Sequence, residues 1–243
     1  MSKVSTSGNG KQTKTTASDM FFLATLAYLS LLIEPIIRSL IINNLFERLN
    51  IGEFGWTLVL RFVCIALWLL CAKSLLKASR NNCAYNVFKK DSAPTSKQWI
   101  FSVGAAILFV VFCLCDNYEK NIALFSSLNS INSVIEMITM YIFYAFEAFI
   151  ITLVIAFGQK GGDLAIKESK YVPYGGIFLG ICWAVVNFIT YVSNLMSGET
   201  VLDALVSAAF MMLYGIIFGI FYVLIEKKTR YALPIIVIAF VLM

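Results

Sequence analysis

Four ionisable side chains lie inside long apolar stretches of this 243-residue sequence, at Glu34, Arg61, Glu136 and Glu147. Ionisable groups in such surroundings are costly, and they mark sites of binding, catalysis or proton transfer unless they pair with one another. Glu147 lies near the middle of its stretch, and no basic residue shares its predicted depth. We therefore take Glu147 as the candidate catalytic residue.

The residues near Glu147 predict a polar pocket. Tyr144 and Glu147 are three residues apart, so they share one face of a helix. Asn187 lies at nearly the same predicted depth on the next apolar stretch, and Tyr191 continues its face of that helix. We predict that these four residues line a pocket between the two helices. The alternative is a Glu147–Asn187 hydrogen bond that only locks the helices together.

The other three intramembrane charges are predicted to be structural. Because neighbouring helices run in opposite directions, Glu34, Arg61 and Glu136 are all predicted to lie near the outer side of the membrane. Because arginine favours a carboxylate partner that it can contact with two donors, we expect Arg61 to pair with Glu34 or Glu136.

Several kinds of chemistry are excluded by what the sequence lacks. It contains no histidine, which removes the commonest zinc ligand and the commonest general base. Five of the six cysteines lie in apolar stretches, and only Cys83 lies in a polar segment, which indicates packing rather than a disulfide framework. We expect no metal, no cofactor and no nucleic-acid partner.

The composition is that of a membrane protein. Hydrophobic residues make up 60% of the chain and charged residues only 14%, more apolar surface than a soluble fold of this size could bury. We predict an all-α, polytopic membrane helix bundle in a lipid bilayer. The seven apolar stretches that predict transmembrane helices are 20–38, 55–73, 98–116, 133–158, 174–195, 203–225 and 231–243.

Basic residues predict the orientation of the bundle. Most of them fall in the N-terminal segment and in every second loop, which the positive-inside rule assigns to the cytoplasm. We predict a multi-pass cell-membrane protein with a disordered cytoplasmic tail (1–19), one transmembrane domain (20–243) and an external C-terminus. The amphipathic segment 39–52 is expected to extend the first helix or to lie in the outer interface.

Two small-residue motifs predict close helix packing. Gly176 and Gly180 are four residues apart in the fifth stretch, and Gly215 and Gly219 are four apart in the sixth. Such spacing lets helix backbones approach closely. A substrate groove floored by these glycines is the alternative.

The order of features in residues 133–243 resembles the CPBP family, the CAAX-protease and bacteriocin-processing intramembrane proteins, also called Abi. The likeness is closest in the glycine helix Gly215-Ile-Ile-Phe-Gly219-Ile-Phe-Tyr222, the basic turn Lys228-Thr229-Arg230, and the Pro234-Ile-Ile stretch of the last helix. The resemblance implies a helical membrane bundle with an active site shared by three helices.

The family's first motif, Glu-Glu-x-x-x-Arg, is matched in part. Glu147 corresponds to the second glutamate. Phe146 replaces the first glutamate, and Ile151 replaces the arginine.

The other two family motifs are Phe-x-x-x-His and His-x-x-x-Asn. This chain lacks the histidine of each. Trp183 and Asn187 correspond to the first pair, which adds Trp183 to the predicted pocket. Ile238 and Leu242 correspond to the second pair. Asparagine and isoleucine cannot act as a base at neutral pH.

The resemblance therefore implies a protein that has lost proteolysis. It would bind a hydrophobic or lipidated peptide, or a membrane partner, in bacteriocin immunity or as an accessory in peptide maturation. One alternative is a divergent CAAX-type endopeptidase that uses Glu147. The other is a subunit of a small-solute transporter.

Overall fold

The computed structural model of this chain describes residues 15–42, 52–90, 92–116, 131–193 and 200–242. The regular secondary structure in these ranges is α-helix, so the predicted all-α class is confirmed. The helices are α1 (Ala17–Leu31), α2 (Ile33–Ile42), α3 (Glu53–Cys83), α4 (Ser96–Asp116), α5 (Ile131–Ala165), α6 (Tyr174–Ser193), α7 (Val201–Leu224) and α8 (Thr229–Val241).

Four segments of the described chain are long and apolar enough to cross a membrane. They are Ala17–Ser39, Phe54–Cys83, Ile131–Ala165 and Val201–Leu224. Three apolar helices are shorter, namely Ser96–Val111, Tyr174–Thr190 and Thr229–Val241. These helices support a multi-pass membrane protein, while the count of seven spans and the orientation stay predictions.

Helix α5 forms the centre of the bundle. It packs against α1, α3, α6 and α8. Its residues 150–159 are all buried, whichever side of the helix they lie on. A helix that is apolar all round is expected to be enclosed by other helices, and α5 meets this condition over nearly three turns.

Contacts bring the predicted cytoplasmic segments to one end of the bundle, which we call the basic end. The Thr15 hydroxyl, just before α1, donates to the Cys83 carbonyl at the end of α3. Asp163 near the end of α5 pairs with Lys227, just after α7. Contacts of this kind are expected in an antiparallel bundle. They join the start of α1 to the end of α3, and the end of α5 to the turn between α7 and α8.

The start of α1 corrects the predicted tail. The helix begins at Ala17, inside the segment 1–19 that we expected to be disordered; residues 1–14 lie outside the described part. A capping box explains the difference. The Asp19 N–H donates to Thr16 Oγ1 at 3.2 Å, and the Thr16 N–H donates to the Asp19 carboxylate at 3.2 Å. Such reciprocal bonds satisfy backbone donors at a helix start.

Two helices continue past their predicted spans. α3 runs to Cys83 rather than 73, and α5 runs to Ala165 rather than 158. An apolar stretch ends where polar residues begin, but the α3 extension contains good helix formers such as Lys77 and Arg80, so the helix continues. The α5 extension contains Gly161 and Gly162, and it is held instead by the contacts of Gln159 and Asp163 with other elements. Cys83, predicted to lie in a polar loop, is instead buried in the last turn of α3.

The first predicted span is interrupted before Pro35. α1 ends at Leu31 and α2 begins at Ile33. Proline has no N–H to donate to the carbonyl four residues earlier, which weakens the helix there. Trp68 Nε1 of α3 donates to the Ser30 carbonyl at 2.8 Å beside the break. Residues 39–42 of the predicted amphipathic segment belong to α2, and residues 43–51 lie outside the described part.

The closest helix pair is α6 with α7. A Cβ atom added to Gly176 would lie 2.6 Å from the Gly219 Cα and 2.6 Å from the Gly215 carbonyl oxygen. Gly180 faces the backbone of Met212 in the same way. The glycines therefore form the predicted backbone contact between these helices, rather than the floor of a groove.

Gly176→Ala is expected to lower the thermal stability of the purified protein in detergent. The new methyl group would meet backbone atoms that cannot rotate away, and overpacking of this kind costs about 1–3 kcal/mol. Gly104→Ala is the matched control, because nothing lies within 4 Å of a Cβ at that position of α4. Equal melting temperatures for the two variants would contradict the glycine contact.

A polar cluster joins α5, α6 and the α7–α8 turn at the basic end. The buried Gln159 accepts a hydrogen bond from the Gly175 N–H at 3.2 Å and donates to Asp163 at 3.2 Å. The Lys227 ammonium donates to the other Asp163 oxygen at 2.6 Å. Both charged side chains are largely buried. The pair therefore fixes the last turn to the central helix.

Asp163→Asn is expected to destabilise the protein by about 2–3 kcal/mol, because it leaves the Lys227 ammonium without a counter-charge in a partly buried place. The double variant Asp163→Asn/Lys227→Met should recover part of this loss. Glu168→Gln serves as the control, since its carboxylate is exposed and lies outside this cluster. Unfolding in a denaturing detergent titration measures the three variants, and no recovery in the double variant would contradict the coupling.

Candidate functional site

A cavity of about 180 Å³ surrounds Glu147 between α2, α3 and α5. It is lined by Glu34, Arg38, Thr57, Leu60, Arg61, Met140, Phe143, Tyr144 and Glu147. The α5 residues come from positions three or four apart, which place them on one face of that helix. The cavity therefore brings two carboxyl groups and two guanidinium groups together.

Glu34 has a partner that the sequence analysis missed. Arg38 Nε donates to Glu34 Oε1 at 2.8 Å, and Arg38 Nη2 lies 2.7 Å from the same oxygen. Opposite charges four residues apart on a helix are expected to meet. That spacing was the available signal.

Arg61 is held by the N-terminal turns of α5. Its Nη1 donates to the Glu136 carbonyl at 2.9 Å and to Thr139 Oγ1 at 3.1 Å. Its Nη2 lies 3.8 Å from the Glu136 carboxylate. Of the two predicted partners, Glu34 and Glu136, the structure places the Glu136 carboxylate within ion-pair distance of Arg61. The contact involves one donor rather than the two we expected, and the shorter bonds go to uncharged oxygens.

Glu147 forms no hydrogen bond or ion pair with any other described residue. The same holds for the hydroxyl of Tyr144, whose ring packs against Phe143 at 5.9 Å between centroids. With Arg38 and Arg61 already bound to other oxygens, the Glu147 carboxyl is the acceptor that the cavity leaves open. Chemically, such a group can bind a cation, accept hydrogen bonds from a ligand, or exchange a proton.

Asn187 lies in different surroundings from Glu147. Its Nδ2 donates to Ser207 Oγ of α7 at 2.6 Å. The predicted Glu147–Asn187 bond is not among the contacts of the described ranges. The spacing of Gly176, Gly180 and Asn187 explains this: all three lie on the same face of α6, and the glycines face α7. The signal that Asn187 points towards α7 was therefore present in the sequence.

Aromatic rings connect the remaining pocket residues. Trp183 packs on Phe218 at 6.1 Å, Phe218 on Phe240 at 6.0 Å, and Phe240 on Tyr144 at 6.2 Å between centroids. Trp183 and Tyr144 thus contribute to one aromatic core across α6, α7, α8 and α5. The side chain of Tyr191 lies outside the described part of the chain.

The positions that correspond to the family's active site do not share one cavity. Ile151 is fully buried in the core. Ile238 and Leu242 are exposed and line an apolar cavity between α4 and α8, whereas Glu147 lines the charged cavity. Asn187 is bound to α7.

Within the described ranges, no three histidine, cysteine, aspartate or glutamate residues come close enough to hold a metal ion. The search for relatives adds no function. No family model, no curated protein and no solved structure matches this chain.

Arg61→Leu is expected to lower the thermal stability in detergent by about 1–3 kcal/mol, because it removes charge-assisted hydrogen bonds between α3 and α5. Arg38→Leu is the comparison, since that side chain is exposed and pairs within its own helix. It should cost less. An unchanged melting temperature in Arg61→Leu would contradict a structural role for this residue.

Proposed function

We propose that this chain is a non-catalytic multi-pass membrane protein on a CPBP-type scaffold, which binds a hydrophobic or lipidated peptide or a membrane partner. One observation supports the non-catalytic part of the proposal. The positions that correspond to the family's catalytic residues are divided between the charged cavity, the apolar core, the α6–α7 contact and a second cavity.

Peptide hydrolysis needs a base that activates water and donors that stabilise the developing negative charge. Glu147 could act as a base, but the family's two histidines are replaced by Asn187 and Ile238. Arg61 is a strong donor in the cavity lining, and its Nη1 already binds two oxygens of α5. These features favour binding over catalysis.

The charges of the cavity indicate what its ligand carries. Arg38 is neutralised by Glu34, and Arg61 is held by α5, so Glu147 supplies the uncompensated acceptor. Phe143 and Tyr144 add aromatic faces, which attract cations. We infer that the cavity receives a basic group, such as a lysine side chain or an N-terminal amine of the bound peptide.

The surface around the cavity suits a ligand that is hydrophobic apart from its basic group. The cavity has room for little more than one side chain. Exposed apolar residues on α3 and α5 continue along the same helices, including Val59, Phe62, Ile138 and Ile142. A peptide with one basic residue in an apolar sequence could place its charge at Glu147 and its apolar side chains along these helices.

Binding of such a peptide by the detergent-solubilised protein tests the proposal. The probes are a lysine-containing apolar peptide and a prenylated peptide, each with a fluorescent label. We expect wild-type protein to bind without cleaving, and Glu147→Gln to weaken binding of the lysine peptide about tenfold, as the loss of one charge-assisted hydrogen bond predicts. Glu168→Gln, at the basic end, should bind like the wild type.

Three results would contradict the proposal. Equal binding by Glu147→Gln and wild type would remove the role of the carboxyl group. Cleavage by wild type that is lost in Glu147→Gln would show a divergent endopeptidase. Uptake of a small solute into proteoliposomes, without peptide binding, would favour the transporter alternative.

A further inference from the structure

A cavity of about 710 Å³ lies at the basic end. It is lined by Gln98, Glu168, Lys170, Tyr171, Ile220, Val223, Leu224, Glu226 and Lys227. These residues come from the start of α4, the α5–α6 connection, the end of α7 and the α7–α8 turn. The volume falls within the usual range of ligand pockets.

The cavity is lined in part by apolar residues and in part by charged residues. Ile220, Val223 and Leu224 belong to the last turns of α7, a helix long and apolar enough to cross a membrane. The charged residues lie in the connections just beyond it. Tyr171 is 88% exposed beside Lys170, a pairing typical of membrane–water interfaces. An amphiphile with its polar end at the interface fits this division.

Two of the four charges in the lining are already neutralised. Lys227 binds Asp163 at 2.6 Å. Glu226 lies 2.9 Å from the Lys228 ammonium, and hydrogen bonds from Lys228 and from Gln98 lower the pKa of its carboxyl below the ordinary value. These contacts fix the floor of the cavity.

The other two charges have opposite signs. Neither Glu168 nor Lys170 forms a hydrogen bond or ion pair with another described residue. Both are exposed and are separated by a single residue of the α5–α6 connection. The Lys170 charge also helps to lower the pKa of the Glu226 carboxyl, but it does so without an ion pair or hydrogen bond. One carboxylate and one ammonium therefore keep their hydrogen-bonding capacity for a ligand that carries both an anion and a cation.

The floor of the cavity also holds unusual backbone geometry. Glu226 and Lys227 have φ values of 55° and 60°, in the left-handed region that favours glycine. The Glu226 N–H donates to the Val223 carbonyl and the Lys227 N–H donates to the Tyr222 carbonyl, both at 2.9 Å, which is the hydrogen-bond pattern of a left-handed cap at the end of a helix. These backbone bonds, with the ion pairs of both side chains, set the shape of the turn that lines the cavity.

We propose that this cavity binds a zwitterionic phospholipid with a primary ammonium headgroup, of the phosphatidylethanolamine type. Lys170 contacts the phosphate, Glu168 accepts hydrogen bonds from the ammonium, and the glycerol and upper acyl segments lie along Ile220, Val223 and Leu224. A choline headgroup has no N–H to donate to Glu168, and an anionic headgroup leaves that carboxylate opposed to a negative charge. This site is separate from the cavity around Glu147.

Native mass spectrometry of the detergent-purified full chain tests the proposal. The added lipids are phosphatidylethanolamine, phosphatidylcholine and phosphatidylglycerol with identical acyl chains. We expect phosphatidylethanolamine to be retained preferentially. Lys170→Ala and Glu168→Gln should each weaken its retention about tenfold, as the loss of one charge-assisted contact predicts. Lys167→Ala is the matched control on the same connection and should behave like the wild type.

Soluble phosphoethanolamine distinguishes a lipid site from a site for the free headgroup compound. We expect it to compete only weakly, because it lacks the part that contacts α7. Competition as strong as that of the lipid would overturn the proposal. Equal retention of the three lipids, a preference for phosphatidylglycerol, or wild-type retention by Lys170→Ala would overturn it as well. Because Glu168→Gln leaves the Glu147 cavity intact, peptide binding by that variant separates a failure here from a failure of the proposed function.

Discussion

Direct contact between helix backbones is the constraint on which the rest of this bundle depends. In a membrane, helices gain little from hiding apolar surface from lipid, so close packing and hydrogen bonds must hold them together. Gly176 and Gly180 remove the side chains that would keep α6 and α7 apart. Gly175, the residue before Gly176, lies against the Ile155 carbonyl of α5. One short segment of α6 therefore joins both neighbours at backbone distance, and the position of α7 relative to the central helix follows from it.

Polar groups occupy what this tight core leaves free. Residues 150–159 of α5 carry no charge and are buried on all sides. Its N-terminal half meets Arg61, and its C-terminal half meets Lys227 through Asp163. Each contact crosses from α5 to another element near an end of the apolar core. This arrangement keeps the cost of desolvating charge low, because each buried charge has a partner or a cavity beside it. The charged cavity around Glu147 lies against the N-terminal half of α5.

The sequence predicted the helices better than their rotations. Long apolar stretches identify helices because the backbone must satisfy its own hydrogen bonds in lipid. The partner of Arg61 was also within reach, since few carboxylates lie at its depth. Glu147 and Asn187 also share a predicted depth in the membrane, but depth does not determine which neighbouring helix a side chain faces. On helices that are apolar nearly all round, hydropathy carries no information about rotation.

Small residues supply the information that hydropathy lacks. A glycine face must point to the neighbour that it allows to approach, so every residue at the same helical positions points there too. Asn187 follows Gly180 by seven residues, which returns it to the face that meets α7, where Ser207 accepts its hydrogen bond. Lys227 shows what the sequence does not carry. The left-handed turn ends α7 with local bonds, from the Glu226 N–H to the Val223 carbonyl and from the Lys227 N–H to the Tyr222 carbonyl, but the glycine that usually marks such a turn is absent from it. The partner of the Lys227 side chain, Asp163, lies more than sixty residues earlier in the chain. Rotation could therefore be inferred from the glycine pattern, whereas the ion pair of the α7–α8 turn depends on a tertiary contact.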